Sequence, residues 1–202
     1  MEKTIESIPL DGGRLCLDFI NTVYSWKTEE RSDFLVDYQA FLVWCQRLAV
    51  PVIPKAVLLK KYGPLEQAAA WRKIIGVRGN LYEVFSAVAA QSKPGRRVEE
   101  DFNFCLSDAL ARQRIFFGPG AARVVIDAGK DELIGPVFHI LKSCYDVLTR
   151  DEIGRIKQCS SCGWIFYDTT KNNGRRWCNP LTCGSMDKSK RYYWRNKERP
   201  RE

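Results

Sequence analysis

Apolar residues recur at helical spacing over several long stretches of this chain. From Phe34 to Leu48, residues Leu35, Tyr38, Phe41, Leu42, Cys45 and Leu48 share one side of an amphipathic helix, which Pro51 and Pro54 close. A longer helix is predicted from Pro64 to about Gln91, with Trp71, Ile74, Ile75, Leu81, Tyr82, Phe85 and Val88 as its inward stripe. Gly76 and Gly79 interrupt that helix at up to about 1 kcal/mol each relative to Ala, and would permit a close helix crossing or a bend. Val98 to Phe117 predicts a further helix, apolar at Phe102, Cys105, Leu106, Ala109 and Leu110 and stopped by Gly118-Pro119-Gly120. Pro136 opens the last, which places Val137, Ile140, Leu141, Cys144, Val147 and Leu148 inward and continues towards Ile153. Two short strands complete the pattern: Arg14 to Phe19 after a turn at Pro9–Gly13, and Arg123 to Asp127 before a turn at Ala128–Lys130.

Beyond Ile153 the chemistry changes. Cys159-Ser-Ser-Cys162 is followed, after fifteen residues, by Cys178-Asn-Pro-Leu-Thr-Cys183. Each close pair lets two thiolates converge on one ion, and the intervening chain closes a tetrahedron, so these four cysteines are read as ligands of one zinc. A redox dithiol fits less well, because that motif normally opens a helix in a βαβ unit and here it precedes a strand. Structural disulfides fit poorly with a chain that starts without an export signal. Four cysteine ligands leave no coordination position for substrate, so the metal is structural.

The residues around the ligands suggest their scaffold. Gly163 allows a tight knuckle turn, and Trp164-Ile-Phe-Tyr167 suits a strand. Asn172-Asn173-Gly174 is a turn, from which Arg175-Arg176-Trp177 leads back as the second arm of a hairpin. Asn179 caps a helix, Pro180 fits its first turn, and Cys183 falls in that turn, with the helix running through Tyr193 or further. Knuckle, hairpin and ligand-bearing helix together resemble a treble-clef zinc finger. Tyr193 and Trp194 are expected to pack on Trp164, Phe166 and Trp177 around the metal. The alternative is that Tyr192, Tyr193 and Trp194 stack on bases.

Charge separates the chain into two parts. From Arg155 onward there are 12 Lys and Arg against 4 Asp and Glu, whereas residues 1–154 hold 20 of each. The net charge of +8 therefore lies wholly in the zinc module. On a helix starting near Pro180, Lys188, Arg191, Arg195 and Arg199 share one arc, with Cys183, Met186, Lys190 and Trp194 opposite. A cationic helix on a zinc finger is the electrostatic footprint of nucleic-acid binding, to which Lys190 and the hairpin residues Lys171, Arg175 and Arg176 would add. A solvated basic tail is the competing reading.

The run Thr170-Lys-Asn-Asn-Gly-Arg-Arg-Trp-Cys178, the second cysteine pair and Lys188-Ser-Lys-Arg-Tyr-Tyr193 resemble the CGNR zinc finger of bacterial proteins. Gly12-Gly-Arg-Leu-Cys-Leu-Asp-Phe-Ile-Asn-Thr22 is similar to the opening of the ABATE domain that precedes that finger. The resemblance spans nearly the whole chain and implies a stress-induced transcription regulator. It also implies zinc at Cys159, Cys162, Cys178 and Cys183, and DNA contact through the basic helix. Where the family reads Cys-Gly-Asn-Arg, this chain has Cys183-Gly-Ser-Met186.

Composition is that of a folded protein, 45% hydrophobic and 28% charged. The absence of a long apolar run and of a basic, apolar leader leads us to expect a cytoplasmic protein without membrane contact. Asp18 and Asn21 interrupt an apolar stretch. They are candidates for a ligand site, though capping or satisfying buried backbone groups is the favoured reading. Cys16, Cys45, Cys105 and Cys144 read as small core residues, and His139 as a surface residue. No phosphate-binding glycine loop, nucleophile with a histidine partner or paired-carboxylate motif is recognised, so no enzyme is expected. The expected fold is mainly α with a small β component: a helical domain with two short strands over 1–154, then a treble-clef-like finger over 155–202. A DNA-binding regulator is the first functional reading; RNA binding through the same face, or a helical ligand-binding protein or enzyme with the finger as a contact module, are the others. A small-molecule effector and a homodimer are compatible with the first.

Overall fold

A computed structural model describes residues 4–27, 32–127 and 133–197. Helix α4 (Pro64–Ala89) is the longest element, with Pro64 at its start and Glu66 reaching back to the Gly63 N–H at 2.7 Å to satisfy an otherwise orphaned donor. It packs against α1 (Leu15–Ile20), α2 (Tyr38–Arg47) and α5 (Arg96–Ala111), while α6 (Gly135–Arg150) lies on α1 and α5. The stripe predicted for α4 is correct at Ile74, Leu81 and Phe85, which are fully buried. Gly76 and Gly79 do not mark a close crossing, since a Cβ on either would meet nothing within 4 Å. Asp37 caps α2 by accepting from the Ala40 N–H at 2.8 Å. A short helix, α3 (Lys55–Lys61), occupies what the prolines mark as a connector, and Leu58 is its buried residue. His139 is half-buried on α6, not at the surface, and that burial biases its imidazole towards the neutral form.

Two strand assignments change. Arg14 to Phe19 is not a strand: α1 occupies it, and Cys16, Leu17, Asp18, Phe19 and Ile20 are all buried. A run of six residues that is apolar except at Asp18 is too short to show a period, so it reads equally as strand or helix. Conversely, the helix expected to reach Phe117 ends at Ala111, and Gln113–Gly118 forms β1, paired antiparallel with β2 (Ala121–Ile126). Ile115-Phe116-Phe117 has strand propensity that the residual helical spacing concealed. The turn expected at Ala128–Lys130 lies outside the described residues.

The second sheet is also rearranged. β4 (Ile165–Tyr167) pairs with β3 (Ile156–Gln158), the strand before the cysteine knuckle, in the register Ile156↔Tyr167 and Gln158↔Ile165. Arg175–Trp177 is not a strand of this hairpin, because β3 already fills that edge of β4. Ile156, Trp164, Ile165 and Phe166 belong to the same buried cluster as the helices, so the finger shares the core of the helical part. Among the described residues, no helix is long and apolar enough to cross a membrane.

Asp18 is buried in the first turn of α1 and accepts from the Gly12 N–H at 2.9 Å. Burial pushes its carboxyl up to about 6, against the pull of the hydrogen bonds from Gly12 and Gly13. A carboxyl whose folded-state value is raised binds its proton more tightly in the folded chain. Its stabilising contribution is therefore complete below about pH 4 and is lost as pH rises through about 6. Over that window urea denaturation should show the stability of the native chain relative to Asp18→Asn falling by about 3 kcal/mol as pH rises; parallel pH profiles in the two would refute the assignment.

Candidate metal centre and nucleic-acid interface

Four cysteine sulfurs converge where the knuckle meets the start of α7 (Ser185–Lys197). The Sγ atoms of Cys159, Cys162, Cys178 and Cys183 all lie within 4.8 Å of one another, with Cys162 to Cys178 at 3.6 Å and Cys178 to Cys183 at 3.7 Å. A tetrahedral zinc with Zn–S bonds of about 2.3 Å sets its sulfurs about 3.8 Å apart, so the donor set fits that ion. All four cysteines are buried. Hydrogen bonds from Cys162 and Cys178 hold the Cys159 thiol far below the usual range, and the same contacts push Cys162 and Cys178 up. Thiols this close ionise together only around a cation, and one structural zinc supplies it.

Local sequence builds this geometry. Gly163 has φ +79°, and the Gly163 N–H donates to the Cys159 carbonyl at 3.0 Å, which closes the knuckle. Trp26 and Lys27 press on the other side of Gly163: an added Cβ would come within 3.1 Å of Trp26 Cβ. At the second pair, Asn179 Oδ1 accepts from the N–H groups of Leu181 (3.0 Å) and Thr182 (3.4 Å), as expected of a cap. The turn Pro180–Gly184 carries Cys183 and leads directly into α7.

Asp168, which sequence reasoning missed, holds the returning loop. Its carboxylate has no exposed surface and accepts from Lys157 Nζ (2.9 Å), the Thr170 N–H (2.9 Å) and hydroxyl (2.6 Å), and the Arg175 N–H (2.8 Å). Burial works against its charge, but these four donors outweigh it and hold the carboxyl well below the usual range. The signal was present as Asp168-Thr-Thr170 directly after a strand, a composition that favours side-chain-to-backbone turns.

Asn21 and Asp18 serve the junction between the helices and the finger. Asn21 donates through Nδ2 to the Ile165 carbonyl at 2.7 Å and accepts through Oδ1 from the Ile165 N–H at 3.0 Å. Two residues along the same edge, the Tyr167 N–H donates to the Gly12 carbonyl at 2.9 Å, and Asp18 holds Gly12. Both side chains thus satisfy buried backbone, the reading the sequence favoured. The Cys162 carbonyl accepts from the Trp26 N–H (2.9 Å) and Ser25 Oγ (3.0 Å), and Trp164 Nε1 donates to the Val23 carbonyl at 2.8 Å. Trp26 stacks on Tyr82 of α4 at 3.9 Å, and Tyr82 and Ser86 accept from Gln158 Nε2 at 3.0 and 3.2 Å.

The predicted basic residues do not all share one face. Lys188, Arg191 and Arg195 are exposed on α7 and line one shallow concavity with Tyr192. Arg191 also meets Asp187 at 3.1 Å, an exposed pair worth about 0.3–0.5 kcal/mol that a phosphate can displace. Lys190 is exposed on the opposite side of α7, facing the metal centre with Met186, and Lys171 and Arg176 are exposed on the loop. Arg175 is turned inward: its guanidinium lies 4.7 Å from the Phe166 ring centroid and donates to the Cys178 carbonyl. Arg199 lies outside the described residues. Tyr193 and Trp194 do not pack around the metal; they are 58% and 55% exposed, because Trp164, Ile165 and Phe166 are covered by the helical part instead.

Removing zinc should lower the unfolding midpoint of the whole chain, since the strands the metal organises are part of one core and such sites contribute on the order of 10 kcal/mol at neutral pH. Calorimetry with and without a chelator checks this, and two separate transitions in the chelated protein would show an independent finger. Asp168→Ala leaves the Lys157 ammonium without its carboxylate and three further donors unsatisfied; a loss on the order of 3 kcal/mol in urea denaturation, with faster zinc release, is expected.

No curated protein matches the chain. Two family models do: the CGNR zinc finger over residues 155–196, and, over residues 13–151, the ABATE model, described as "Putative stress-induced transcription regulator". The second covers more than half of the chain and the first adjoins it in the order the sequence suggested, so the chain belongs to the ABATE family and carries a CGNR zinc finger at its C-terminal side.

Proposed function

We propose that this protein is a non-enzymatic, cytoplasmic transcription regulator that grips duplex DNA through α7. The observation that supports this most is that α7 buries none of its residues while setting Lys188, Arg191 and Arg195 side by side. A helix that contributes nothing to the core is retained for its surface, and a cationic surface on a zinc-anchored helix matches the phosphate backbone. Asp187 in the first turn and Arg195 and Lys197 in the last complement the helix dipole, so the helix holds its shape without a partner. The family description is in keeping with regulation. RNA binding is the second reading, favoured by Tyr192, Tyr193 and Trp194, all more than half exposed and available for stacking.

Binding of the zinc-loaded protein to mixed duplex DNA and to structured RNA over a salt series tests both readings. For duplex DNA the log–log salt slope is expected to flatten by about 2 to 3 when Lys188, Arg191 and Arg195 are replaced together by Gln, at about 0.9 for each phosphate no longer neutralised. An unchanged slope would remove α7 from the interface, and binding to RNA alone would select the second reading.

A further inference from the structure

A groove of about 540 Å³ lies between α4, α5 and α6, on the helical part of the molecule. That volume is in the range of small-molecule sites, roughly 300–1,000 Å³. Its floor is apolar: Val137, Phe138 and Leu141 of α6 are buried beneath it. One long wall is α4, where Gly76 faces the groove and a Cβ at that position would meet nothing within 4 Å. Glycine there weakens the helix relative to alanine and no neighbour needs the space, so its effect is to keep that wall open.

The rim is polar and of opposite sign on its two sides. Lys73 and Asn80 stand on α4, Asp101 and Asp108 on α5. Asp108 is paired with Arg112 at 3.2 Å, and the Arg112 guanidinium lies 4.1 Å from the Phe138 ring centroid, beside the groove. Among the described residues, the side chains of Lys73 and Asp101 enter no hydrogen bond or ion pair. An unpaired ammonium on one wall and an unpaired carboxylate on the other, above an apolar floor, complement a zwitterion with an apolar side chain.

We propose that this groove is a binding site for a free amino acid with an aromatic or branched side chain. Its ammonium group meets Asp101, its carboxylate meets Lys73, and its side chain lies over Gly76 and Phe138. The proposal is independent of nucleic-acid binding, so the two stand or fall separately.

The probe is L-phenylalanine, titrated into the zinc-loaded full chain by calorimetry beside phenethylamine, which lacks the carboxylate, and 3-phenylpropionate, which lacks the ammonium. One saturable site of about 1 mM or tighter is expected for phenylalanine, with both analogues at least about tenfold weaker. Gly76→Leu fills the groove: it should abolish binding while raising the melting temperature, which separates loss of the site from loss of the fold. Asp101→Asn should weaken phenylalanine and leave 3-phenylpropionate unchanged. The proposal is overturned if phenylalanine shows no saturable binding, if either analogue binds equally well, or if Gly76→Leu binds as the native chain does. It is equally overturned if the protein is a dimer that Gly76→Leu converts to a monomer, since the groove then holds a second copy.

Discussion

Two three-residue strands cannot stand alone, and the structure depends on how β4 is held. One edge of β4 pairs with β3, and the other is closed by Asn21, whose amide pairs with both backbone groups of Ile165 as a neighbouring strand would. Gly12 continues that pairing at Tyr167. The sheet is therefore completed by the helical part of the chain, and its side chains enter the common core. Zinc fixes one end of the hairpin and α1 fixes its length. Without the helical part, the Ile165 and Tyr167 backbone groups that meet Asn21 and Gly12 would lose their partners, at about 1–3 kcal/mol for each left buried.

This explains why α7 is bare. In a free-standing finger the helix would have to cover the hairpin, and Tyr193 and Trp194 would be the residues to do so. Here Trp164, Ile165 and Phe166 are covered by the segment from Asn21 to Trp26 and by α4. The helix is left attached through the turn that carries Cys183, with its aromatic and cationic residues in solvent. The expectation that so small a module needs every aromatic for itself fails because the module is not on its own.

What the sequence made legible follows from the range of the signals. The zinc ligands are legible because metal geometry restricts spacing, and α2, α4 and α6 because each shows several turns of periodic apolar residues. The cap at Asn179 and the knuckle glycine at Gly163 are likewise local chemistry. Where the deciding contact is distant, the reading fails. The partner of β4 lies before the knuckle and not after the Asn172–Gly174 turn, and the other edge of β4 is closed to Arg175–Trp177 by Asn21, 144 residues away in the chain. Five apolar residues and one buried Asp at α1 are too few to show a period, and β1 follows α5 without a glycine or proline to mark the change. Arg175 reads as one more surface cation because its stacking on Phe166 depends on the loop that Asp168 gathers.

α4 is where the two halves of the molecule can influence each other. One face carries Arg78, which is bonded to Thr22 and Asp33, and Tyr82 and Ser86, which hold the knuckle segment and β3. Another carries Lys73, Gly76 and Asn80 along the groove against α5 and α6. A helix transmits displacement along its length with little loss, so an occupant that spreads α4 from α5 acts on the same rigid element that Trp26 and Gln158 rest on. Such an occupant alters α7 only to the extent that it prefers one placement of α4 over another, and α7 bound to a polymer must then alter the occupant's affinity by the same factor. The directional part of the joint is a set of hydrogen bonds to single atoms, the Cys162 carbonyl and the Ile165 peptide groups. The Trp26–Tyr82 stack and the apolar core shared by β3, β4 and the helices accompany these bonds, so the joint combines directional and non-directional contacts.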